Sequence, residues 1–476
     1  MIMNSVLRSA GQFPVVLAFC AGVGAQVFAQ PSLTLTPKAG PPTDRVTVNG
    51  AGFGGDEAVY IYFDTSELAI ATTDPSGAFG GIRLTVPASA TPGEHRISGV
   101  GQESGLAADT VFIVRADWPQ FHNGPERQGY NPTENALNVT NVSGMQVLWA
   151  ADLGIPYSIF ASPTVSGGLV YMPWFNGILH VFEAATGKPV WSAPVGGVDN
   201  SAAEASGIAY MGGYTGIFAF DAKTGASLWT ASAAGDVTYS SSAVVDGVVY
   251  VGCYGRKLSA LNATTGQVIW NAPTGGITDS SPAVANGIAY VGSFDRRLYA
   301  FAATTGEPVW TATTGSFILS SPSVADGQVY VGSDDRKLYA FDAVTGQQLW
   351  AAATGGDVAS SPAVANGVVY VGSGDKSLYA FDAASGQPLW SAPTGAAIRS
   401  SPAVANGVVY VGSEDGRLYA FDAATGEQLW SAATGGEIDS SPAVANGIVY
   451  VGSDDGHLYA FGLPAASTPL KERRHD

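Results

Sequence analysis

Residues 361–390 read SPAVANGVVYVGSGDKSLYAFDAASGQPLW, and residues 401–430 read SPAVANGVVYVGSEDGRLYAFDAATGEQLW. The two segments are identical at 24 of their 30 positions. The unit recurs along the chain with one tryptophan per copy, at intervals of 38 to 42 residues: Trp149, Trp191, Trp229, Trp270, Trp310, Trp350, Trp390 and Trp430. A period near 40 residues predicts stacked copies of one supersecondary unit.

The unit divides into four short strands. Asn366-Gly367 predicts a two-residue hairpin turn, because both central positions of that turn need a positive φ. Residues 368–372 are β-branched and aromatic, as is typical of strands, and Ser385-Gly386 turns the chain into a last strand carrying Trp390. Four strands per unit, without a helical period, predict an all-β fold: a β-propeller of four-stranded blades.

The number of blades follows from two counts. Second strands centred on tyrosine occur eight times, from Tyr171 to Tyr450, but turns into a fourth strand occur only seven times, from Gly187 to Gly426. Trp149 lies on a strand with no preceding body. We therefore predict that residues 146–151 complete an eighth blade, which closes an eight-bladed ring over residues 146–463 and removes an open sheet edge.

Four further segments flank the ring. Residues 1–29 have an apolar run after Arg8 and small residues before Gln30, which predicts a secretory signal peptide; an uncleaved anchor and lipidation at Cys20 are the alternatives. Residues 30–115 alternate in strands between Pro/Gly-rich turns and predict a small immunoglobulin-like β-sandwich. Residues 116–145 form a connector, and residues 464–476 a charged tail. We expect an exported protein of the periplasm, cell envelope or extracellular space, without a membrane span after cleavage.

Composition limits the partners. Charged residues make up 13% of the chain and the formal net charge is −18. Nucleic acids and anionic membrane surfaces bind clustered Lys and Arg, so both are excluded as partners. We expect a monomer.

The pattern Leu-Tyr-Ala-Phe-Asp-Ala-x-Thr-Gly-x-x-x-Trp, at 338–350 and 418–430, resembles the repeat of the pyrroloquinoline quinone (PQQ) family of propellers. The resemblance extends over all eight units. That family includes quinoprotein dehydrogenases, which use PQQ and calcium, and non-enzymatic scaffolds such as the propeller lipoprotein of the outer-membrane assembly machine. Residues 46–64 resemble an immunoglobulin-like fold of the IPT/TIG kind.

The resemblance also implies what a dehydrogenase of this family would need. Its pattern includes adjacent cysteines against the cofactor, calcium ligands and long inserted loops. Here Cys253 stands alone, and the later units carry no insertion. We therefore predict the non-enzymatic branch: no enzyme, no catalytic residue, and neither PQQ nor calcium as a cofactor.

Residue by residue, no constellation for catalysis or metal binding emerges. The aspartates before the Thr-Gly turns could form a calcium array, but the same slot holds Asn262, Ala302 and Gly462, so we interpret them as turn-fixing residues. The five histidines are scattered. The regular spacing of the eight tryptophans predicts that they dock between blades.

One class of positions varies while its neighbours repeat. It lies just before each Ser-Ser-Pro and comprises Asp199, Tyr239, Asp279, Leu319, Ala359, Arg399 and Asp439. In a propeller these loops converge at one mouth of the central channel. We therefore predict a binding surface there; drift of free turns, and a surface around Trp174 and Phe175 in the first blade, are the alternatives.

The resulting hypothesis is an exported non-catalytic scaffold that binds a protein or another cell-envelope partner, including one in envelope or outer-membrane protein assembly. The alternatives are a small-molecule or glycan binder at the channel mouth, which exposed aromatic residues there would favour, and a PQQ-dependent dehydrogenase.

Overall fold

A computed structural model describes residues 30–154, 156, 160–197, 200–232 and 240–464. The predicted signal segment with Cys20, and all of the predicted tail except Pro464, lie outside the described residues. The chain divides into two compact units: one comprises 47–84 and 96–110 with the segment ending at Thr36, and the other comprises 37–46, 85–95 and everything from Val111 onward.

The N-terminal strands form two sheets. The three-stranded sheet has the order Ser32–Thr36, Arg45–Ala51 and Phe79–Thr85; the five-stranded sheet has the order Ala39–Gly40, Ala107–Val114, Gly93–Gly101, Ala58–Phe63 and Ser66–Thr72. Side chains alternate between buried and exposed along Ser32–Thr36, as in a strand with one face in a core. The IPT/TIG resemblance of this region stays a prediction.

The remaining strands build eight antiparallel blades, each ordered A-B-C-D from the inside outward, except for Tyr130–Asn131 of the connector, which pairs parallel with Ala403–Ala405. The A strands are Thr164–Ser166, Ala203–Ala205, Ala243–Val245, Ala283–Ala285, Ser323–Ala325, Ala363–Ala365, Ala403–Ala405 and Ala443–Ala445. The B strands are Leu169–Trp174, Ile208–Gly213, Val248–Cys253, Ile288–Ser293, Gln328–Ser333, Val368–Gly372, Val408–Ser413 and Ile448–Ser453. The C strands are Ile178–Glu183, Gly216–Asp221, Lys257–Asn262, Arg297–Ala302, Lys337–Asp342, Ser377–Asp382, Arg417–Asp422 and His457–Gly462. The D strands of blades 1 to 7 are Pro189–Pro194, Ser227–Ala231, Val268–Pro273, Pro308–Thr313, Gln348–Ala353, Pro388–Pro393 and Gln428–Ala433.

The eighth blade takes its D strand from the other end of the ring. Gln146–Asp152 pairs antiparallel with His457–Gly462, with Val147 opposite Phe461 and Ala151 opposite Leu458. The fold class predicted from sequence, an all-β eight-bladed propeller, is confirmed. The described part of the chain has no α-helix, only the 3-10 turns Phe121–Asn123 and Val142–Gly144, and neither of these could cross a membrane.

A closed circle of hydrogen bonds links the blades near the axis. The backbone N–H of one serine donates to the Oγ of the equivalent serine in the next blade, at 2.9 Å in all eight cases. The circle runs through Ser162, Ser201, Ser241, Ser281, Ser321, Ser361, Ser401, Ser441 and back to Ser162. Each serine lies two residues before an A strand, so the innermost strands are held in register all the way round.

The tryptophans seal the blades at the periphery. Trp270 of blade 3 donates its indole N–H to the carbonyl oxygen of Ala303 in blade 4 at 3.0 Å, and Tyr250 donates its hydroxyl to the same oxygen at 3.1 Å. The other tryptophans from Trp149 to Trp390 make the same bond to the next blade, whereas Trp430 donates to the Met145 carbonyl. One carbonyl thus collects two donors from its neighbour, which fixes the blade-to-blade spacing.

The connector contacts the A strand of every blade in turn. The second residue of each A strand is hydrogen-bonded to a connector residue at 2.7–2.9 Å. The pairs are Trp118 with Val165, Pro119 with Glu204, Gln120 with Val244, Pro125 with Val284, Glu126 with Val324, Gln128 with Val364, Gly129 with Val404, and Asn131 with Val444. Asn406 and Asn446, both on A–B turns, also bond to the connector. The connector therefore lies across the end of the channel that carries the A–B turns.

Arg127 anchors this connector. It is fully buried and donates to the carbonyl oxygens of Phe121, Ser241, Ser242 and Pro282 at 2.6–3.1 Å. Burial lowers the pKa of its guanidinium to about 9, against the opposing influence of Glu126. The four carbonyl acceptors compensate the buried cation in place of a carboxylate.

Two glycines of blade 4 test the tryptophan seal. Gly287 and Gly306 have φ values of 77° and 72°, but a Cβ on Gly287 would meet nothing within 4 Å, whereas on Gly306 it would lie 2.6 Å from the Trp270 ring. Gly287→Ala should cost about 1–2 kcal/mol through the left-handed backbone alone. Gly306→Ala should cost a further ~1–3 kcal/mol, because the indole must move. Equal losses of Tm in the two variants would contradict this account of the seal.

Candidate functional site

The topology brings two sets of turns to the mouth opposite the connector. The A–B turns lie at the connector end, so the B–C turns and the loops that lead from a D strand into the next A strand lie at the other end. We call that end the open mouth. Its loops carry the variable positions singled out in the sequence.

The structure places five of the seven variable residues at the open mouth; Asp199 and Tyr239 lie outside the described residues. Arg399 is exposed, Leu319 is 36% exposed, and Asp279 and Ala359 are half-buried. Asp439 is only 7% exposed, so it is not the freely accessible loop residue that the sequence suggested. Its loop contacts the B–C turn of the same blade, where the Asp454 N–H donates to the Glu437 carbonyl at 2.9 Å, and the corresponding loops of blades 4 to 7 make the same contact.

Sequence reasoning missed one member of this set. Phe160 precedes Ser162 by two residues, as Leu319 precedes Ser321, and it is 51% exposed. Blade 1 begins with Ala161-Ser162-Pro163 instead of Ser-Ser-Pro, which hid the equivalence. Counting back two residues from each serine of the closed circle would have found it.

The alternative surface in blade 1 requires a correction. Trp174 is 1% exposed, so it cannot form a docking surface. It ends its B strand at the position of Ser453 and packs in the core shared with blade 8. Phe175, one residue later, begins the B–C turn and belongs to the open mouth, so the two proposed surfaces are one.

The B–C turns divide the mouth into two halves. Blades 1 to 4 carry an aromatic residue at the first turn position, and blades 5 to 8 carry an acidic residue or glycine: Phe175, Tyr214, Tyr254 and Phe294, then Asp334, Gly374, Glu414 and Asp454. We call these the aromatic half and the acidic half.

The aromatic half presents large side chains to solvent. Tyr214 is 38% exposed and Tyr254 50% exposed. Phe294 stacks on Phe317 with ring centroids 5.7 Å apart, and Phe317 remains 49% exposed. Together with Leu319, these residues give the open mouth exposed apolar side chains of the kind that mark interaction sites on soluble proteins.

The acidic half is a coupled set of charges. The Arg399 guanidinium donates from Nε to Glu414 Oε1 at 2.6 Å. One carboxylate oxygen from each of Glu437, Asp439 and Asp454 lies within 4.8 Å of the others. Burial, reinforced by Asp454 and Glu414 and opposed by Arg399, raises the pKa of Asp439 to about 7. Burial and the neighbouring Asp357 likewise raise the pKa of Asp334.

The residues present do not fit the quinone site of the dehydrogenases. Cys253 is fully buried in its B strand, 3.5 Å from Ser259 Oγ, and the sequence holds no adjacent cysteine. Carboxylates are available for a cation, but the cysteine pair that would lie against the quinone is not. The expectation of no PQQ and no calcium stays a prediction.

The pKa of Asp439 sets a pH dependence of stability. The folded carboxyl holds its proton up to about pH 7, whereas an unfolded aspartate releases it near pH ~3.9. The native state therefore binds more protons in this window, and stability falls as pH rises through it. Asp439→Asn should raise Tm relative to wild type at pH 8 more than at pH 4.5. A Tm difference that does not change with pH would count against this assignment.

Curated relatives of the chain include enzymes. The alcohol dehydrogenase (quinone) dehydrogenase subunit of Komagataeibacter europaeus is 29% identical over 146 residues, which are 27% of this chain and 20% of that protein. The corresponding subunit of Gluconobacter oxydans (strain 621H) is 34% identical over 127 residues, 24% of this chain and 17% of that protein. The chain thus spans about a fifth of the length of these relatives.

Solved structures share the fold. BamB from Moraxella catarrhalis aligns with a TM-score of 0.57 at 21% identity, over 67% of this chain and 99% of BamB. Quinohemoprotein alcohol dehydrogenase from Comamonas testosteroni aligns with a TM-score of 0.63 at 18% identity, over 76% of this chain and 83% of that enzyme. The prediction that the chain is not an enzyme is corrected by these comparisons, because these curated relatives are subunits of alcohol dehydrogenase (quinone) and its structural neighbours include quinohemoprotein alcohol dehydrogenases and a europium-containing methanol dehydrogenase.

A family model assigns the propeller. The model described as "Outer membrane protein assembly factor BamB" matches residues 137–281, 274–401 and 374–463. These matches cover every blade and the strand that closes the ring, and they agree with the PQQ-like repeat recognised in the sequence. The chain therefore belongs to the BamB family of PQQ-like propellers.

Proposed function

We propose that this chain is an exported propeller scaffold that binds a protein partner of the cell envelope through the open mouth. The observation that carries the proposal is the contrast between repeat and variation. The bodies of blades 4 to 8 repeat nearly residue for residue, whereas the position two residues before each serine of the circle holds Phe, Tyr, Leu, Ala or Arg in five blades and Asp in the other three. The connector occupies the opposite end of the channel, which leaves the open mouth as the accessible axial face.

The chemistry of the mouth suits a protein partner. Aromatic residues and arginine are enriched among the residues that dominate protein interfaces. Here the exposed Phe317 and Leu319 lie at the same mouth as the Arg399–Glu414 pair, so one face offers both an apolar anchor and charged groups. The family's role as an outer membrane protein assembly factor supports a partner in that process.

A paired set of variants tests this function. Phe317→Asp with Leu319→Asp places charge in the apolar anchor, and should reduce capture of envelope partners by the full chain at least tenfold. Ile70→Asp with Val100→Asp changes two equally exposed apolar residues on the N-terminal sheets and serves as the control. Both variants should fold, since exposed substitutions usually cost within ~0.5 kcal/mol. Capture is measured by quantitative mass spectrometry of a native envelope extract.

The control variant should change capture less than twofold. If the mouth variant retains wild-type capture at an unchanged Tm, the open mouth is not the partner surface and the proposal fails.

A glycan is the second candidate ligand, favoured by the aromatic half. Exposed aromatic rings on consecutive blades offer flat apolar faces on which sugar rings can stack. We expect Tyr254→Ala with Phe294→Ala to abolish any calorimetric heat of binding to soluble peptidoglycan fragments, while Glu437→Gln in the acidic half leaves it intact. Absence of binding by the wild-type chain would eliminate this candidate and leave the protein partner.

A further inference from the structure

A second surface lies at the connector end, between neighbouring blades. The groove between blades 3 and 4 has a volume of about 490 Å³. Its floor is apolar, with Val245, Val248 and Ile269 from blade 3 and Ala303 from blade 4. Asp246 and Glu126 stand on its rim with their carboxylates. Ile269 is 49% exposed, so the floor is open to solvent.

The lining of this groove recurs around the ring. The residue before each tryptophan is aliphatic in all eight blades: Leu148, Val190, Leu228, Ile269, Val309, Leu349, Leu389 and Leu429. The six from Val190 to Leu389 are 43–52% exposed, whereas Leu148 and Leu429 are half-buried. The lower exposure of Leu429 indicates that another part of the chain covers its groove.

The chain itself fills the groove between blades 7 and 8. Connector residues 134–145 lie there, with Leu137 and Val142 fully buried and Met145 6% exposed in one core with both blades. Asn406 Nδ2 donates to the Leu137 carbonyl at 2.9 Å. The Gly447 N–H donates to Glu134 Oε2 at 2.8 Å.

Comparison of the two grooves shows what an occupant does. Val408 of blade 7 is fully buried beneath the connector, whereas its equivalent Val248 of blade 3 is only half-buried. Tyr250 lines the groove between blades 3 and 4, and Tyr410 is the equivalent residue in blade 7. The segment on blades 7 and 8 is irregular in structure and contributes three aliphatic side chains, so it provides a template for ligands of the open groove.

We propose that the groove between blades 3 and 4 docks a peptide segment of a partner protein, with aliphatic side chains in the places that Leu137, Val142 and Met145 take on blades 7 and 8. The residues on the rim of the groove determine which charge the docked peptide should carry. Asp246 stands where Asn406 stands in the filled groove, and a carboxylate cannot donate to a peptide carbonyl. With Glu126 nearby, the rim favours a segment that carries Lys or Arg beside its first aliphatic residue. In the groove between blades 5 and 6, Gln328 replaces the floor valine, so that groove is a poorer match.

The chain supplies its own probe. A fluorescent peptide with the sequence of residues 134–145 and the change Asn138→Lys should bind the full-length protein, whose groove between blades 7 and 8 is already filled. Ile269→Glu should weaken binding at least tenfold in fluorescence anisotropy. Ile70→Glu, the same change at a 53% exposed residue of the N-terminal sheets, should alter it less than twofold.

Two further measurements locate the peptide. Asp246→Asn should reduce the charge preference, so that the affinities of the peptide with Asn138 and the peptide with lysine become similar. A photoreactive leucine at position 137 of the peptide should crosslink to blades 3 and 4. The mouth variant Phe317→Asp with Leu319→Asp should bind the peptide normally, which separates this groove from the proposed partner surface.

Three results would overturn the proposal: no peptide binding at millimolar concentration, wild-type affinity in Ile269→Glu, or crosslinks confined to other blades or to the open mouth.

Discussion

The circle of eight serine hydrogen bonds is the constraint on which the rest of the architecture depends. Each bond runs from the backbone of the serine before one A strand to the side chain of the serine before the next, and the last, from Ser441 to Ser162, joins the two ends of the repeat array. With eight blades, the closed circle sets one rotation from each blade to the next. The tryptophan seal makes a second blade-to-blade contact at the periphery, where a tryptophan and a tyrosine of one blade donate to the same carbonyl oxygen of the next blade. The inner and outer contacts therefore specify the same geometry, and the consistency of the two is what makes the fold unique.

Much of this architecture was accessible from sequence because it is local and repeated. The Asn366-Gly367 turn has φ values of 51° and 78°, as its residue types predict. The unequal counts of second strands and closing turns pointed to the strand exchange that Gln146–Asp152 makes with His457–Gly462. Each of these sequence signals recurs in several blades, so an ambiguous copy in one blade does not change the predicted fold.

The connector and the character of the mouth could not be predicted in the same way. Residues 116–145 have no periodicity, and their partners lie up to 330 residues away in sequence, as in the bond from Ala116 to Asn446. The burial of Asp439 and the stacking of Phe294 on Phe317 depend on how two turns of neighbouring position meet, which no strand pattern encodes. Trp174 shows the opposite failure: an unusual residue suggested a surface, but its place at the end of a B strand directs it into the core. Phe160 was missed because one serine of its motif is replaced by alanine.

The connector's eight successive bonds have a consequence for how this gene can change. Repeats that agree at 24 of 30 positions invite unequal recombination, which would add or delete whole units. A ring of seven or nine would still find serine partners between any two adjacent units, since those units are nearly interchangeable. The connector is not interchangeable: between Trp118 and Asn131 it presents one hydrogen-bonding position to each of eight A strands, in order. Because its length is fixed, a gain or loss of one repeat would leave the later connector residues without their A-strand hydrogen-bonding partners. Thirty residues without any repeat of their own thus hold constant the number of repeats in the remainder of the chain.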